Sequence, residues 1–373
     1  MTELDDRLTM LRGAAAEMAP ELRRHALAVD ADPYCAIGDL TAHRTLTALT
    51  TPARYAEPLR IGRHTFPAGS CLAQVVCTIE FGRADAGTML TWPGPGLAGR
   101  LLDELGDPDQ CDYFYRALAQ RRTGSFFAMT EAGRGSDATA LETALEPDGD
   151  GYRLRGAKRY VGNAAHGGVG VIFARTGPGP LSIRAALVTV PAPGLSTQRL
   201  ETVGLRGARL AAIDLDGVPV GAEMLLGRHL PVSRRGLWGA MRVFHHMRVN
   251  VAALAAGTAQ AVLDLVAVER PGARGLDVLS ARSAECRQLL YAAGHAVDHA
   301  RSPADSSTAK LSATRLAWDA VRFAIGALGP LALIEQPLLE KWARDVCAFE
   351  FMEGTSDIQR QHIAREYIKA TPG

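Results

Sequence analysis

The 373 residues carry a formal net charge of +1, and 22% are charged while 47% are hydrophobic. A chain of this length can bury a large core and should divide into two or three domains of ~100 to 200 residues. Its near-balanced charge argues against nucleic acid or a membrane surface as the main partner.

Cys35, Cys71, Cys77, Cys111, Cys286 and Cys347 are scattered, and no pair has the two-residue spacing of a zinc knuckle or redox motif. Free thiols in a reducing cytoplasm are therefore expected. Met1 to Leu11 is acidic and has no basic segment leading into an apolar one, so no signal peptide is expected. No uninterrupted apolar run reaches the ~18 residues of a membrane span. Lysine occurs only at Lys158, Lys310, Lys341 and Lys369; with the abundant arginine and alanine, this reads as the coding bias of a GC-rich genome.

From Leu4 to about Gln120 the pattern is of amphipathic helices, broken at Pro33, Pro52, Pro67 and the Pro93-Gly94-Pro95-Gly96 turn. Around Gly124 the texture changes. Short β-prone runs (Tyr152 to Leu154, Gly170 to Ala174, Ala185 to Val190, Ala211 to Leu215) alternate with Gly, Pro and Asp turns, as in a small β domain. After about Leu230 the helical period returns. Arg248 to Arg270 has no proline, one glycine and apolar residues nearly all round, which predicts a central buried helix. Further helices are expected over about Ser280 to Ala300, Thr308 to Ile325, Gln336 to Phe349 and from Ser356 onward. The expected fold class is α+β: an N-terminal helical domain (1–120), a central β domain (121–229) and a C-terminal helical bundle (230–373).

The segment Phe351 to Arg360 holds the leading candidate for chemistry. Ser356 followed by Gln359 reads as a capping box, and Ile358, Ile363, Tyr367 and Ile368 recur at near-helical spacing. Glu353 then sits in the turn before a helix, where Phe349, Phe351 and Met352 would surround it with apolar surface and raise its pKa toward the range useful for proton abstraction. Gly354 lets the chain turn sharply there. The segment alone fits an exposed pre-helical turn equally well.

The order of elements, together with four motifs, resembles the acyl-CoA dehydrogenase family across nearly the whole chain. Phe127-Ala128-Met129-Thr130-Glu131-Ala132-Gly133-Arg134-Gly135-Ser136-Asp137 resembles the family's flavin loop. Gly156 to Asn163 resembles the strand behind the isoalloxazine ring, and Arg248 to Asp264 the long helix. Trp342-Ala343-Arg344-Asp345 leads to Glu353-Gly354-Thr355-Ser356, as in members that use this glutamate as base.

The resemblance implies FAD as cofactor, held by Phe127, Met129, Thr130, Gly135, Ser136, Tyr160 and Gly162 at the flavin end, and by Arg270, Gly326, Thr355 and Asp357 elsewhere. Ser136, His245 and Arg248 would meet the substrate, an acyl-CoA or acyl-carrier-protein thioester. Glu353 would take the α-proton while the flavin takes the β-hydride. An electron-transferring flavoprotein is the implied electron acceptor, and a homodimer or homotetramer the implied assembly.

The chain also departs from the pattern. Tyr160 stands where a tryptophan is usual, Gly162 for a threonine, His245 (beside His246) for an aspartate, Phe323 and Asp357 for glutamines. Pro271, Gly272 and Ala273 follow Arg270 in place of the expected Thr and Phe, and the family's Gly-Gly turn is reduced to Gly326-Ala327. These changes fit a specialised member, expected to act in secondary metabolism on a carrier-tethered unit and to oxidise a hydroxyl-bearing carbon. A flavin oxidase or monooxygenase on the same scaffold and a helical binding protein without FAD are the alternatives. Retention of Glu353 speaks against the monooxygenase, whose chemistry needs no α-proton base.

Overall fold

The computed structural model describes residues 4–300 and 303–370. In chain order the elements are α1 (Asp6–Ala31), α2 (Thr41–Thr50), β1 (Leu59–Ile61), β2 (His64–Phe66), α3 (Cys71–Leu90), α4 (Gly96–Leu105) and α5 (Pro108–Arg121). Then come β3 (Ser125–Ala128), β4 (Ala144–Asp148), β5 (Gly151–Gly162), β6 (Gly168–Arg175), β7 (Ile183–Val190), β8 (Leu195–Arg199) and β9 (Leu210–Val220). The chain closes with α6 (Gly236–Glu269), α7 (Leu276–Asp298), α8 (Pro303–Leu328), α9 (Ala332–Glu335), α10 (Pro337–Ala348) and α11 (Ser356–Ala370). The α+β class expected from the sequence is the observed one. The expectation of helices alone before residue 120 needs correction, because β1 and β2 form an antiparallel hairpin closed by Gly62 at φ +55°.

These elements form two compact units. One takes the chain up to Leu90, Val203–Gly207 and everything from His245; the other takes Thr91–Thr202 and Ala208–Phe244.

In the helical unit α3 is buried along its length except at Arg83 and Leu90. It packs on α1, α2 and α7, while α8 packs on α7, α10 and α11. Gly82 and Gly257 let α3 and α6 cross closely: a Cβ on Gly257 would lie 2.3 Å from the Ile79 carbonyl oxygen, and one on Gly82 would lie 2.8 Å from that of Leu254. The single glycine of the Arg248 to Arg270 segment is thus fixed by packing. Asp85 breaks α3 with extended backbone (φ −166°, ψ 116°) and restarts it, accepting the Thr88 amide at 2.6 Å and its hydroxyl at 2.7 Å, as an N-cap does. Its other oxygen meets Lys341 Nζ at 2.6 Å; Lys341 also bonds Asp345, which accepts the Leu205 amide. Helix α6 is long and apolar enough to cross a membrane, but 72% of its most apolar window is buried, as in the core helix of a globular protein.

The β unit is a seven-stranded sheet in the order β3-β6-β4-β5-β9-β8, with β7 also paired to β6. Strand β6 runs parallel to β3 and antiparallel to β7, and is buried except at its last residue. That explains its unbroken apolar run, since a strand covered on both faces has no polar side. In β9 burial alternates for most of its length, and Ile213, Leu215 and Val218 join Phe126, Leu145, Leu154 and Ile172 in the core.

Candidate active site

The Glu353 turn is built entirely within the helical unit. Glu353 (φ +54°) and Gly354 (φ +94°) are successive left-handed residues between α10 and α11. A non-glycine residue in that region costs ~1 to 2 kcal/mol, so the surroundings must hold it. Three side chains from three helices do so through the two carbonyls. Arg248 Nε (α6) donates to the Glu353 oxygen at 3.1 Å. Gln359 Nε2 (α11) donates to that oxygen at 3.1 Å and to the Gly354 oxygen at 2.9 Å. Lys310 Nζ (α8) donates to the Gly354 oxygen and to that of Glu350 at 3.3 Å.

The carboxylate is left out of this clamp. Glu353 is half-buried as a residue, yet its Oε2 is sealed from solvent and has no hydrogen-bond partner among the described residues. Burial pushes its carboxyl up to about 7, against the opposing pull of the Arg248 and Lys310 charges. A buried, unpaired carboxylate poised near neutrality is what a general base requires.

Two details of the expected surroundings are corrected. Phe349 is buried, but Phe351 is 73% exposed and contributes no apolar cover. The Ser356/Gln359 capping box does not form either. The Ser356 amide and hydroxyl both donate to the Glu350 carboxylate, at 2.7 and 2.6 Å, which places an anion at the start of α11. Thr355 takes the cap position, its carbonyl accepting the Gln359 amide at 3.0 Å, and this frees Gln359 to clamp the turn.

His245 and Arg248 lie beside this turn. Helix α6 begins at Gly236, earlier than the helix expected from Arg248, so His245 and His246 both lie inside it. His246 is buried and bonds Gln74 at 2.7 Å. His245 is half-buried, with Arg248 3.2 Å and the Ser306 hydroxyl 3.4 Å from its Nδ1. Arg248 can only donate, so Nδ1 must accept and Nε2 carries the proton. Burial, then the charges of Arg248 and His362, push the imidazole down to about 4, so it is neutral near pH 7.

The β unit gathers the residues assigned to the flavin ring. Within β3, Phe127 packs against Phe173 and Phe244, with ring centroids 5.1 and 5.9 Å apart, and after the strand Thr130 is half-buried. Ala132 to Asp137, including Gly135 and Ser136, is exposed, and a Cβ on Gly133 would meet nothing within 4 Å. A bulge in β5 between Lys158 and Val161 puts Tyr160 at φ +62° with 56% of its surface exposed. Bulges re-aim side chains in this way. The same bulge ties β5 to the loop, because the Arg159 amide donates to the Thr130 oxygen at 2.9 Å. Gly162 pairs with Leu210, and a Cβ there would lie 3.1 Å from the Ala208 oxygen.

An anchor beneath this loop was not singled out from the sequence. Lys158, fully buried, donates to the Met129 carbonyl at 3.1 Å and to Glu131 at 2.8 Å. Glu131 also accepts the amides of Glu142 and Thr143 and the Thr143 hydroxyl. Burial pushes the Glu131 carboxyl up, but those hydrogen bonds outweigh it and hold the group at about 2.

The remaining assigned residues are scattered in the helical unit. Arg270 donates to the Ala327 carbonyl at the end of α8. Gly326 is helical, so the expected Gly326-Ala327 turn is displaced: α8 continues to Leu328 and the chain turns at Gly329, φ +87°. Asp357 is exposed and paired with Arg360 at 2.6 Å. A cavity of about 320 Å³ lined by Glu142, Glu146, Arg175 and Thr176, among others, contains none of the residues assigned to the site.

Comparison with known proteins agrees with this architecture. The family profiles "Acyl-CoA dehydrogenase, middle domain" and "Acyl-CoA dehydrogenase, C-terminal domain" match residues 126–218 and 272–368. The probable acyl-CoA dehydrogenase YngJ of Bacillus subtilis (strain 168) is 30% identical over 321 residues, 81% of this chain and 83% of its own length. A solved structure of PigA with FAD and proline has a TM-score of 0.85 at 20% identity, covering 98% of this chain and 99% of that one. The prolyl acyl carrier protein oxidase AnaB has a TM-score of 0.82 at 22% identity, covering 98% and 100%. The matching profiles and the Bacillus relative place the chain among oxidoreductases acting on CH–CH bonds. The chain belongs to the acyl-CoA dehydrogenase family.

Proposed function

We propose that this protein is an FAD-dependent dehydrogenase of acyl thioesters, carried by CoA or by an acyl carrier protein, with Glu353 as the base that removes the α-proton. The observation that carries this reading is the Glu353 carboxylate itself: sealed from solvent and unpaired at Oε2 among the described residues, and held on a left-handed turn by donors that engage only the main chain. The β-unit residues fit a flavin ring. Thr130 and Ser136 offer hydroxyls, the glycine-rich loop leaves open space above Gly133, and Tyr160 presents an exposed aromatic plane. FAD, when bound, supplies the acceptor for the β-hydride.

The protein's own part is binding, orientation and proton removal. The α-proton of a thioester is weakly acidic, so its removal needs a positioned base and a donor to the developing enolate oxygen. Glu353 takes the proton on its carboxylate, and the family resemblance assigns its own amide as a donor to the thioester carbonyl. Lys158 and Glu131 keep the loop after β3 in place. His245 offers an Nε2–H donor and Arg248 a fixed charge to the substrate arm. An electron-transferring flavoprotein would reoxidise the enzyme.

A second reading, a flavin oxidase acting on a carrier-tethered unit in secondary metabolism, is favoured by Gly162, which has no hydroxyl to offer the flavin, and by the fold shared with AnaB. One experiment separates the outcomes. FAD-loaded protein mixed anaerobically with a panel of acyl-CoA and acyl-carrier thioesters should bleach, and Glu353→Gln should not. Rapid peroxide formation in air would mark the oxidase. Protein that takes up no FAD, or bleaching untouched by Glu353→Gln, would overturn the dehydrogenase reading.

A further inference from the structure

Lys310 stands out among the groups that surround the candidate base. It is one of only four lysines in the chain, and its residue is 1% exposed in the interior of α8. Its ammonium makes no salt bridge with a side chain among the described residues. It donates instead to the main-chain oxygens of Glu350 and Gly354, one on each side of Glu353. An ion taken out of water is costly unless its donors are satisfied, so a buried ammonium spent on two carbonyls of one turn is best explained by what that turn carries.

We propose that Lys310 is a positioning residue for the base: it fixes the turn by its main-chain oxygens, leaves the Glu353 carboxylate unpaired, and lends a nearby positive charge that favours the ionised carboxylate. The inference deepens the reading of Glu353 as the base and rests on it.

The arrangement separates geometry from charge. A lysine bonded directly to the Glu353 carboxylate would occupy the lone pairs needed for proton removal and would hold the group far below neutrality. Bonded to the neighbouring carbonyls, it acts on the carboxylate through space only. The charged groups acting on this pair are Arg248 from α6 and Glu350 from the segment before the turn, and the Glu350 carboxylate is already engaged by Ser356. Burial pulls the ammonium down to about 8, with Glu350 and Glu353 opposing. Lys310 and Glu353 should therefore titrate as a coupled pair.

Coupling is reciprocal, so it can be read from either partner. The carboxyl C=O stretch that disappears in Glu353→Gln reports Glu353 by difference infrared spectroscopy. In Lys310→Gln, which keeps a donor and removes the charge, its midpoint should rise by about one pH unit or more; in Lys310→Arg it should stay within about half a unit, because the charge remains. Should Lys310→Gln not fold, the converse experiment uses the near-isosteric Glu353→Gln. With lysine 13C-labelled at Cε, four resonances are expected, and the one from Lys310 should titrate lower in Glu353→Gln than in the wild type. A Glu353 midpoint unmoved in Lys310→Gln, or a Lys310 midpoint unmoved in Glu353→Gln, overturns the proposal. The base assignment fails separately, if FAD-loaded Glu353→Gln still bleaches with thioester.

Discussion

Arg248 donates its Nε hydrogen to the main-chain oxygen of Glu353 at 3.1 Å, and the Glu353 carboxylate keeps Oε2 without a partner among the described residues. Cation and carboxylate are neighbours that do not form a contact ion pair. The charge lowers the carboxylate's pKa through space, burial raises it further, and the group comes to rest at about 7.

The first prediction follows from that balance. The ionised carboxylate is the working form, so turnover should climb as pH rises through about 7, and Glu353→Gln should cut it by ~10²- to 10⁴-fold. Stability should move in the opposite direction. The folded state holds the Glu353 proton more tightly than the unfolded chain, so its contribution is fully present below about pH 4.5 and is lost as pH rises through about 7. Glu353→Gln should therefore melt above the wild type at pH 8 and level with it near pH 4. Thermal melts across that range check the sign.

His245 gives a second pH prediction with a different window. Its folded pKa is depressed to about 4 from an ordinary value of 6.5, so the unfolded chain binds the extra proton first as pH falls. Stability is whole above about pH 6.5 and declines toward pH 4, and His245→Gln should lose less over that interval. Nitrogen NMR should find the Nε2–H tautomer at pH 7. An Nδ1–H signal there would contradict the bond from Arg248.

A third prediction concerns the loop after β3. Lys158→Met leaves Glu131 facing a buried apolar group and frees the Met129 carbonyl, so the loop should loosen without the sheet unfolding. FAD retention should drop about tenfold, equivalent to roughly 1.4 kcal/mol. Flavin fluorescence titration measures it; affinity equal to wild type would mean the anchor does not support the cofactor.

The fold was legible because its signals are local and periodic. The β-prone run Ala211 to Leu215 lies inside β9, and the helical period after Leu230 corresponds to α6 through α11. The β1–β2 hairpin escaped notice because its strands are three residues long, too short for a period to show. Glu353 was singled out as a candidate through its motif, but what holds its turn was not legible. Gln359 was taken as half of a capping box, and the turn is clamped by side chains from α6 and α8, far away in sequence. One signal did exist. In a chain that uses arginine almost everywhere, lysine was read as a remnant of coding bias, yet Lys158, Lys310 and Lys341 are each 1% exposed. Each donates through its single ammonium to two oxygens, a task that suits a compact point charge better than a planar fork.

The last prediction tests the packing beneath the site. Gly257 lies in α6 nine residues after Arg248, and its missing side chain lets α3 approach until a Cβ would sit 2.3 Å from the Ile79 oxygen and 2.6 Å from the Arg83 nitrogen. Both atoms are backbone, so no side chain can swing aside. Gly257→Ala gains about 1 kcal/mol of helix propensity. It must also push two helices apart, and overpacking of this kind costs ~1 to 3 kcal/mol or more. The clash should win, lowering stability by ~1 to 2 kcal/mol in urea unfolding. Because α6 also carries Arg248, the shift should reach the turn it holds, and turnover should fall while FAD content stays constant. A variant as stable as the wild type would show that α3 and α6 do not cross this closely.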